Sequence, residues 1–373
     1  MLSGQRGTYA WARPTPGIVI VGHALFAFAL VAGALSLTGY ARERALTVGL
    51  VAGGFAAVPD ADMAYALVGL LGADYGSVLA VTESFWATST VIHRSVTHSL
   101  VVAVPAAVAV ALWTADASSP LAASRITFDR LGRGTALRAA GVAFAVSLVA
   151  AALWATGPLA AVVMAVFLLA GLLVATLADA YGDLSPRAAF GAALVGLWSH
   201  PWGDLLTGEP PLMLYPLSDA VLVERLALST DPTVHLLGAF GFELATVWLA
   251  AAVYCRLSER SLPAYVRRRA ALGAAYGTAA PLIDPPTLSV SYHFVFTILA
   301  VGVAVAAPYR WPRSPLSRIR RENWVAGTDG IRASLHPAAW PASADDALAV
   351  GLTGLAGLSA ALLAYAAAYG LFA

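Results

Sequence analysis

Four short stretches of this chain set histidine and aspartate into otherwise apolar sequence. His23 lies in IVIVGHALFAF, Asp60 and Asp62 in FAAVPDADMAY, His93 and His98 beside Arg94 in IHRSVTHSL, and His200 with Asp204 in GLWSHPWGDLLTG. Imidazole and carboxylate without thiolate suit zinc, manganese or iron, and oxygen-rich portions also admit magnesium. His200 and Asp204 are four apart, so on a helix they share one face. His93 and His98 are five apart, which no regular helix would turn toward one ion. The spacing therefore predicts His93 in a loop and His98 in the first turn of the following helix, with Ser95 or Thr97 as the N-cap. Asp60 and Asp62 follow Pro59, where a helix should break.

The seven candidate ligands are His23, Asp60, Asp62, His93, His98, His200 and Asp204. They exceed the four that a structural zinc takes, which points to two divalent ions, or to one ion with catalytic groups beside it. Asp62 or Asp60 is then a bridging ligand or the general base. Arg94 can hold a phosphate oxygen or stabilise developing charge. Each piece also has a plainer explanation. His23 alone could bond a neighbouring carbonyl, D-x-D and H-x3-D alone are common, and Arg94 could be a surface anchor that snorkels. His235 and His293 begin apolar runs and read as structural, and His336 as a loop residue.

These residues must be carried by membrane helices. Across 373 residues, 59% are hydrophobic and only 12% charged, and apolar runs of about 20 residues recur. The fold class expected is all-α and polytopic, with about ten transmembrane helices near 17–38, 45–72, 95–115, 135–155, 158–179, 187–207, 234–256, 269–283, 287–307 and 344–372. The second is interrupted at Pro59. Residues 1–16 hold no apolar core and no cleavage site, so the first run reads as a retained span.

Net charge is +1, which gives no reason to invoke nucleic acid, and the single Cys255 excludes an internal disulfide or a thiolate-rich metal site. Arginines concentrate in the connections 116–134, 257–268 and 308–343, which would lie in the cytoplasm. The acidic or sparse connections 73–94 and 208–233 would lie outside. At about 1.5 Å per residue, all four polar stretches then fall in the outer half of the bilayer. Ionisable groups at that depth are costly and therefore functional candidates by default.

In order and spacing these motifs resemble the YdjM-type inner-membrane metal-dependent hydrolases. That family shows an early histidine, then P-D-x-D, then H-R-G-x-T-H-S, then H-x3-D followed by threonine and W-P or Y-P. The corresponding pieces here are His23, Pro59 to Asp62, His93 to Ser99, His200 with Asp204 and Thr207, and Tyr215-Pro216. Ser95 stands where the family has glycine. The resemblance covers about residues 17–217 and implies a metal-dependent hydrolase, with phosphoesters as the suggested substrate class.

The expected organisation is therefore a motif-bearing membrane core over 1–217, and further transmembrane helices over 218–373 with a basic loop at 308–343. The expected function is metal-dependent hydrolysis of a phosphoester or other ester of a lipid in the cell membrane. One or two divalent ions, zinc preferred, would act on the extracytoplasmic side. The alternatives are an ion- or proton-coupled transporter, since broken helices with intramembrane His and Asp also build ion paths, and a scaffold with a structural metal.

Overall fold

The computed structural model describes residues 19–77, 80–81, 84, 94–116, 128–206, 210–217, 225–288, 290–307 and 343–372. His93, Thr207, His336 and the basic segment 308–342 lie outside the described residues. The described chain is helical and has no strand, only an isolated bridge between Thr287 and Val290.

Residues 1–260 with 286–292 form one compact unit. It holds α1 (Val19–Leu37), α2 (Arg42–Ala57), a 3-10 helix over Pro59–Gly72, α3 (Leu100–Trp113), α4 (Phe128–Ala155), α5 (Pro158–Gly182), α6 (Pro186–Asp204) and α7 (Pro232–Leu257). The starts follow from local chemistry. Pro158, Pro186 and Pro232 sit in first turns, where a missing N–H costs nothing. Ser99, Ser185 and Asp231 accept the free N–H groups of α3, α6 and α7. Pro59 ends α2 as its residue type requires, and the chain bends by 42° into the 3-10 segment.

Small residues let these helices approach closely, as suits a bilayer, where lipid supplies no hydrophobic drive for helix association. Ala52 and Phe55 of α2, Ala103, Ala106 and Ala107 of α3, Phe167 of α5, and Ala192 and Ala193 of α6 meet in one core. A Cβ on Gly196 of α6 would overlap the Ala52 carbonyl oxygen, and one on Gly53 would press on the Ala24 carbonyl oxygen. α2 is thereby clamped between α1 and α6. The outward residues, among them Leu50, Leu153, Trp154, Leu169 and Leu173, are large and apolar.

Residues 261–285 with 293–373 form the second unit. Its described elements are α8 (Leu262–Tyr265), a 3-10 helix over Arg268–Ala279, α9 (Tyr292–Ala306) and α10 (Ala344–Phe372). α10 lies against the 3-10 helix through Gly273 and Gly277, whose bare Cα atoms face the carbonyls of Gly357 and Ala364.

The expectation of about ten spans is corrected. Among the described residues, four helices are long and apolar enough to cross a membrane: Gly134–Ala155, Pro158–Gly182, Pro232–Leu257 and Ala344–Phe372. The bent pair Arg42–Ala57 with Pro59–Leu67 would make a fifth. The other expected spans fall short for identifiable reasons. The run at 95–115 spends its first residues on a turn, and its helix starts at Leu100. That at 187–207 carries the polar Ser199, His200 and Asp204. That at 269–283 is a 3-10 helix ending at Ala279 before Pro281. Val21–Leu37 and His293–Ala306 remain as shorter apolar helices.

Candidate metal centre

The 94–99 turn, the start of the 3-10 segment after Pro59, the last turn of α6 and the first turns of α1 meet inside the first unit. His23, Asp60, Asp62, His98, His200 and Asp204 are all buried there, and His98, His200, Asp62 and Asp204 are at most 1% exposed. Local sequence explains each placement. Asp60 and Asp62 enter the core because the proline break turns the chain inward. His200 and Asp204 come from one helical face, as their spacing requires. His98 precedes its helix, which corrects the expectation that it occupies the first turn. The cap is Ser99, which accepts from Val101 and Val102, and neither Ser95 nor Thr97 fills that role. Ser99 is the better cap because its hydroxyl also donates to the Tyr215 carbonyl, 2.6 Å away.

The Tyr215 segment straps this turn in place. Leu212 donates its N–H to the Arg94 carbonyl and Leu100 donates to that of Met213, each at 2.9 Å. The separated H-R-x-x-T-H-S and Y-P elements therefore form one local structure. Within it Arg94 takes the left-handed conformation (φ 65°), whereas Ser95 does not have a positive φ. Serine in the place of the family's glycine is thus accommodated without a left-handed turn.

The hydrogen bonds fix both histidine tautomers. His200 Nδ1 lies 2.7 Å from the Ala56 carbonyl oxygen, which can only accept. Its Nδ1 therefore carries a proton, and in the neutral ring Nε2 presents the lone pair. Thr97 Oγ1 gives its hydrogen to Asp62 Oδ2 at 2.8 Å, so at 2.9 Å from His98 Nδ1 it must accept. His98 is thereby protonated on Nδ1, and it too presents Nε2.

These two Nε2 atoms are 3.0 Å apart. Asp204 Oδ2 is 3.3 Å from His98 Nε2 and 3.5 Å from His200 Nε2. Asp60 Oδ1 is 3.5 Å from His200 Nε2 and 3.8 Å from His98 Nε2. The two Nε2 atoms thus lie 3.0 Å from each other and 3.3 to 3.8 Å from each carboxylate oxygen. A tetrahedron with metal–ligand distances of about 2.0–2.1 Å has edges of about 3.3–3.4 Å. Asp60 Oδ2, Asp204 Oδ2 and His23 Nε2 are buried without a hydrogen-bond partner, as donor atoms awaiting a cation would be. The residues present could hold a metal ion, in the groups His23, His200, Asp204 and Asp60, His98, His200.

The remaining predicted residues surround this cage. His23 lies over α6 with its ring centroid 4.1 Å from that of His200 and its Nε2 3.5 Å from Asp204 Oδ1. Its place depends on Gly203, where a Cβ would overlap the His23 ring. Arg94 donates through Nη2 to Asp204 Oδ1 at 2.9 Å and through Nη1 to the Asp204 carbonyl at 3.3 Å. Asp62 stays 3.9 Å from His98 Nδ1 and acts through Thr97. His235 and His293 are elsewhere. His235 Nδ1 accepts from the Leu228 N–H, and His293 Nε2 lies 3.3 Å from the Asp284 carbonyl oxygen.

Several contributors escape motif reading. The Ala56 carbonyl and Gly203 act through backbone and through a missing Cβ, which residue types do not announce. Glu243 did carry a signal, a single acid within the apolar run GAFGFELATVWLA, where an ionisable residue is a functional candidate. Its carboxylate packs on Gly22, next to His23.

Fold and site together define a helical membrane protein with a buried His/Asp cage. The YdjM inner membrane protein family matches residues 18–262, well over half the chain, and the chain belongs to that family. Nothing among curated proteins or solved structures matches it.

Proposed function

We propose that this protein is a membrane-embedded metal-dependent hydrolase whose cage of Asp60, His98, His200 and Asp204 holds one divalent ion, zinc by preference. The observation that carries this reading is the tautomer pair. Two imidazoles, each donating through Nδ1, aim their Nε2 lone pairs at a point shared with two carboxylate oxygens. Such an arrangement is repulsive unless a metal ion or a proton occupies it, and a metal ion satisfies all four groups at once. Two neutral imidazoles and two carboxylates suit zinc, and manganese, iron or magnesium are the alternatives.

His200 serves both candidate groups with one lone pair, which favours one ion over two. Held by Asp60, His98, His200 and Asp204, a divalent ion would supply Lewis-acid chemistry, acidifying water and polarising an ester or phosphoester oxygen. The chain's own residues would do the rest. Asp60 is the most exposed of the four, at 9%, and its unpartnered Oδ2 suits it to take a proton. Asp62 is better read as holding Thr97, and so the His98 ring, than as the base. Arg94 spends two donors on Asp204, which favours orienting that ligand, with phosphate contact secondary. Trp198 and Trp202, partly exposed on the turn of α6 that bears His200, suit the interface where aromatic residues gather. A lipid ester or phosphoester reaching the site from the outer leaflet fits that position.

The closure of the cage favours a second reading, a non-catalytic scaffold. Four buried protein donors are the usual condition of a structural zinc, whereas a catalytic zinc keeps an open position. One experiment separates the two. Detergent-purified protein is analysed for metal and assayed on phosphoesters and lipid extracts, before and after chelation and zinc return. About one zinc per chain with chelator-reversible hydrolysis is expected. One zinc with no hydrolysis supports the scaffold, and no retained metal defeats both readings.

A further inference from the structure

Glu243 lies in the middle of α7, about 16 Å along the axis from Pro232. An acid there is expensive in a candidate span, and the cage described above makes no use of it. The side chain turns onto the first turn of α1. Its carboxylate covers the bare Cα of Gly22, where a Cβ would overlap Oε1, Oε2 and Cδ. It packs against the Gly22 backbone, and its Oε1 is buried without a hydrogen-bond partner. The contact falls on the residue just before His23. Beyond it, the His23 ring seats on Gly203 and faces Asp204 Oδ1 at 3.5 Å, while Asp204 Oδ2 belongs to the cage. A continuous set of contacts thus runs from α7 through α1 to a cage carboxylate on α6.

We propose that Glu243 is a positioning residue of the metal centre: by gripping Gly22 it sets the height of His23 against Asp204. The inference rests on the cage being a metal site. Groups that orient ligands from outside a metal site typically change its affinity by about 10–100-fold when removed.

The test uses full-length, detergent-solubilised protein. Zinc affinity is read by chelator competition, the cobalt(II) visible spectrum reports ligand geometry, and thermal melting confirms that each variant is folded. Wild type must bind zinc and His200→Ala must not, and failure there defeats the metal reading itself. Given that baseline, Glu243→Leu should bind zinc about 10–100-fold more weakly, with an altered cobalt spectrum. Glu243→Gln, which keeps the size and shape of the group packed on Gly22, should stay close to wild type. Gly22→Ala, whose Cβ displaces the carboxylate, should reproduce the loss and carries the test if Glu243→Leu does not fold. Phe240→Leu, a buried neighbour on α7, should leave affinity unchanged. Wild-type affinity in Glu243→Leu or Gly22→Ala overturns the inference. So does a Glu243→Gln variant as weak as Glu243→Leu, because the planar end group packed on Gly22 would then not be what holds His23. Equal weakening by Phe240→Leu also overturns it, since α7 packing in general would be the cause.

Discussion

In the first unit the deepest polar side chains include His98, His200, Asp62 and Asp204, aimed at one another from three stretches of chain. In the second unit they are Thr353 and Tyr365, both 0% exposed. Thr353 is satisfied locally, donating to the Tyr265 carbonyl and accepting the Arg267 N–H. Tyr365 stacks among Phe294 and Tyr276, with ring centroids 5.1 and 5.8 Å away, and its hydroxyl has no partner. Among the described residues, every group able to hold a metal falls in the first unit. The two units thus use burial differently. The second gains rigidity from backbone contacts at Gly273 and Gly357, whereas the first gives up packing uniformity to bring four electron-pair donors together.

The sharpest way to break this contrast is to remove a cage ligand. His200→Ala should reduce bound zinc from about one per chain to near zero, because His200 is common to both possible ligand groups. A bound ion at about 1,000 times its Kd stabilises the folded state by about 4 kcal/mol. The variant should therefore also lose the zinc-dependent part of its melting temperature. Zinc retained at wild-type stoichiometry would show that the cage is not the metal site.

How far this was legible follows from the kind of signal each residue gives. Asp60, His98, His200 and Asp204 were readable, because charge or imidazole in an apolar run is rare and carries a physical cost. The bend after α2 was readable too, since Pro59 lacks the N–H that continuation needs. The tautomers were not, because they depend on Ala56 and Thr97, which became partners only in the fold. The start of α3 was misread because Ser95, Thr97 and Ser99 are all competent caps, and a contact from Tyr215 decided among them. The span count failed because hydropathy cannot distinguish a 20-residue helix from a shorter helix preceded by a turn, nor an α-helix from the 3-10 segment Arg268–Ala279. Glu243 was legible by the same rule as His23 and was simply overlooked.

Packing in the second unit gives the next effect. A Cβ at Gly273 would run into the Gly357 carbonyl, so Gly273→Ala should force the 3-10 helix and α10 apart. Overpacking of this kind costs about 1–3 kcal/mol. Thermal melting should fall while zinc stoichiometry stays at the wild-type value. Loss of zinc in this variant would erase the division of labour between the units.

Within the first unit, Thr97 tests whether the orientation of His98 matters beyond its presence. Thr97→Val keeps the shape but removes the hydroxyl that bonds Asp62 and accepts from His98 Nδ1. Free to choose either tautomer, His98 should bind zinc about 10–100-fold more weakly. Unchanged affinity would show that the Thr97 hydroxyl does not orient the ring.

The smallest effect should come from Tyr365→Phe. Truncating a buried polar group usually destabilises, because a hydrogen bond is lost and its partner is stranded. The Tyr365 hydroxyl has no such partner, so removing it strands nothing and relieves the burial of a lone polar atom. The ring contacts with Phe294 and Tyr276 remain, and they supply the packing. Melting temperature should hold or rise, by no more than about 1 kcal/mol of stability. The same logic predicts the reverse for the cage, whose unpartnered atoms lie among other donors and would be stabilised by a cation. Asp60→Asn should weaken zinc binding, although it leaves the shape of the site almost unchanged. If Tyr365→Phe instead destabilised the protein as much as Asp60→Asn weakens the metal site, an unpartnered buried atom would mean the same thing in both units. The contrast drawn from them would then fail.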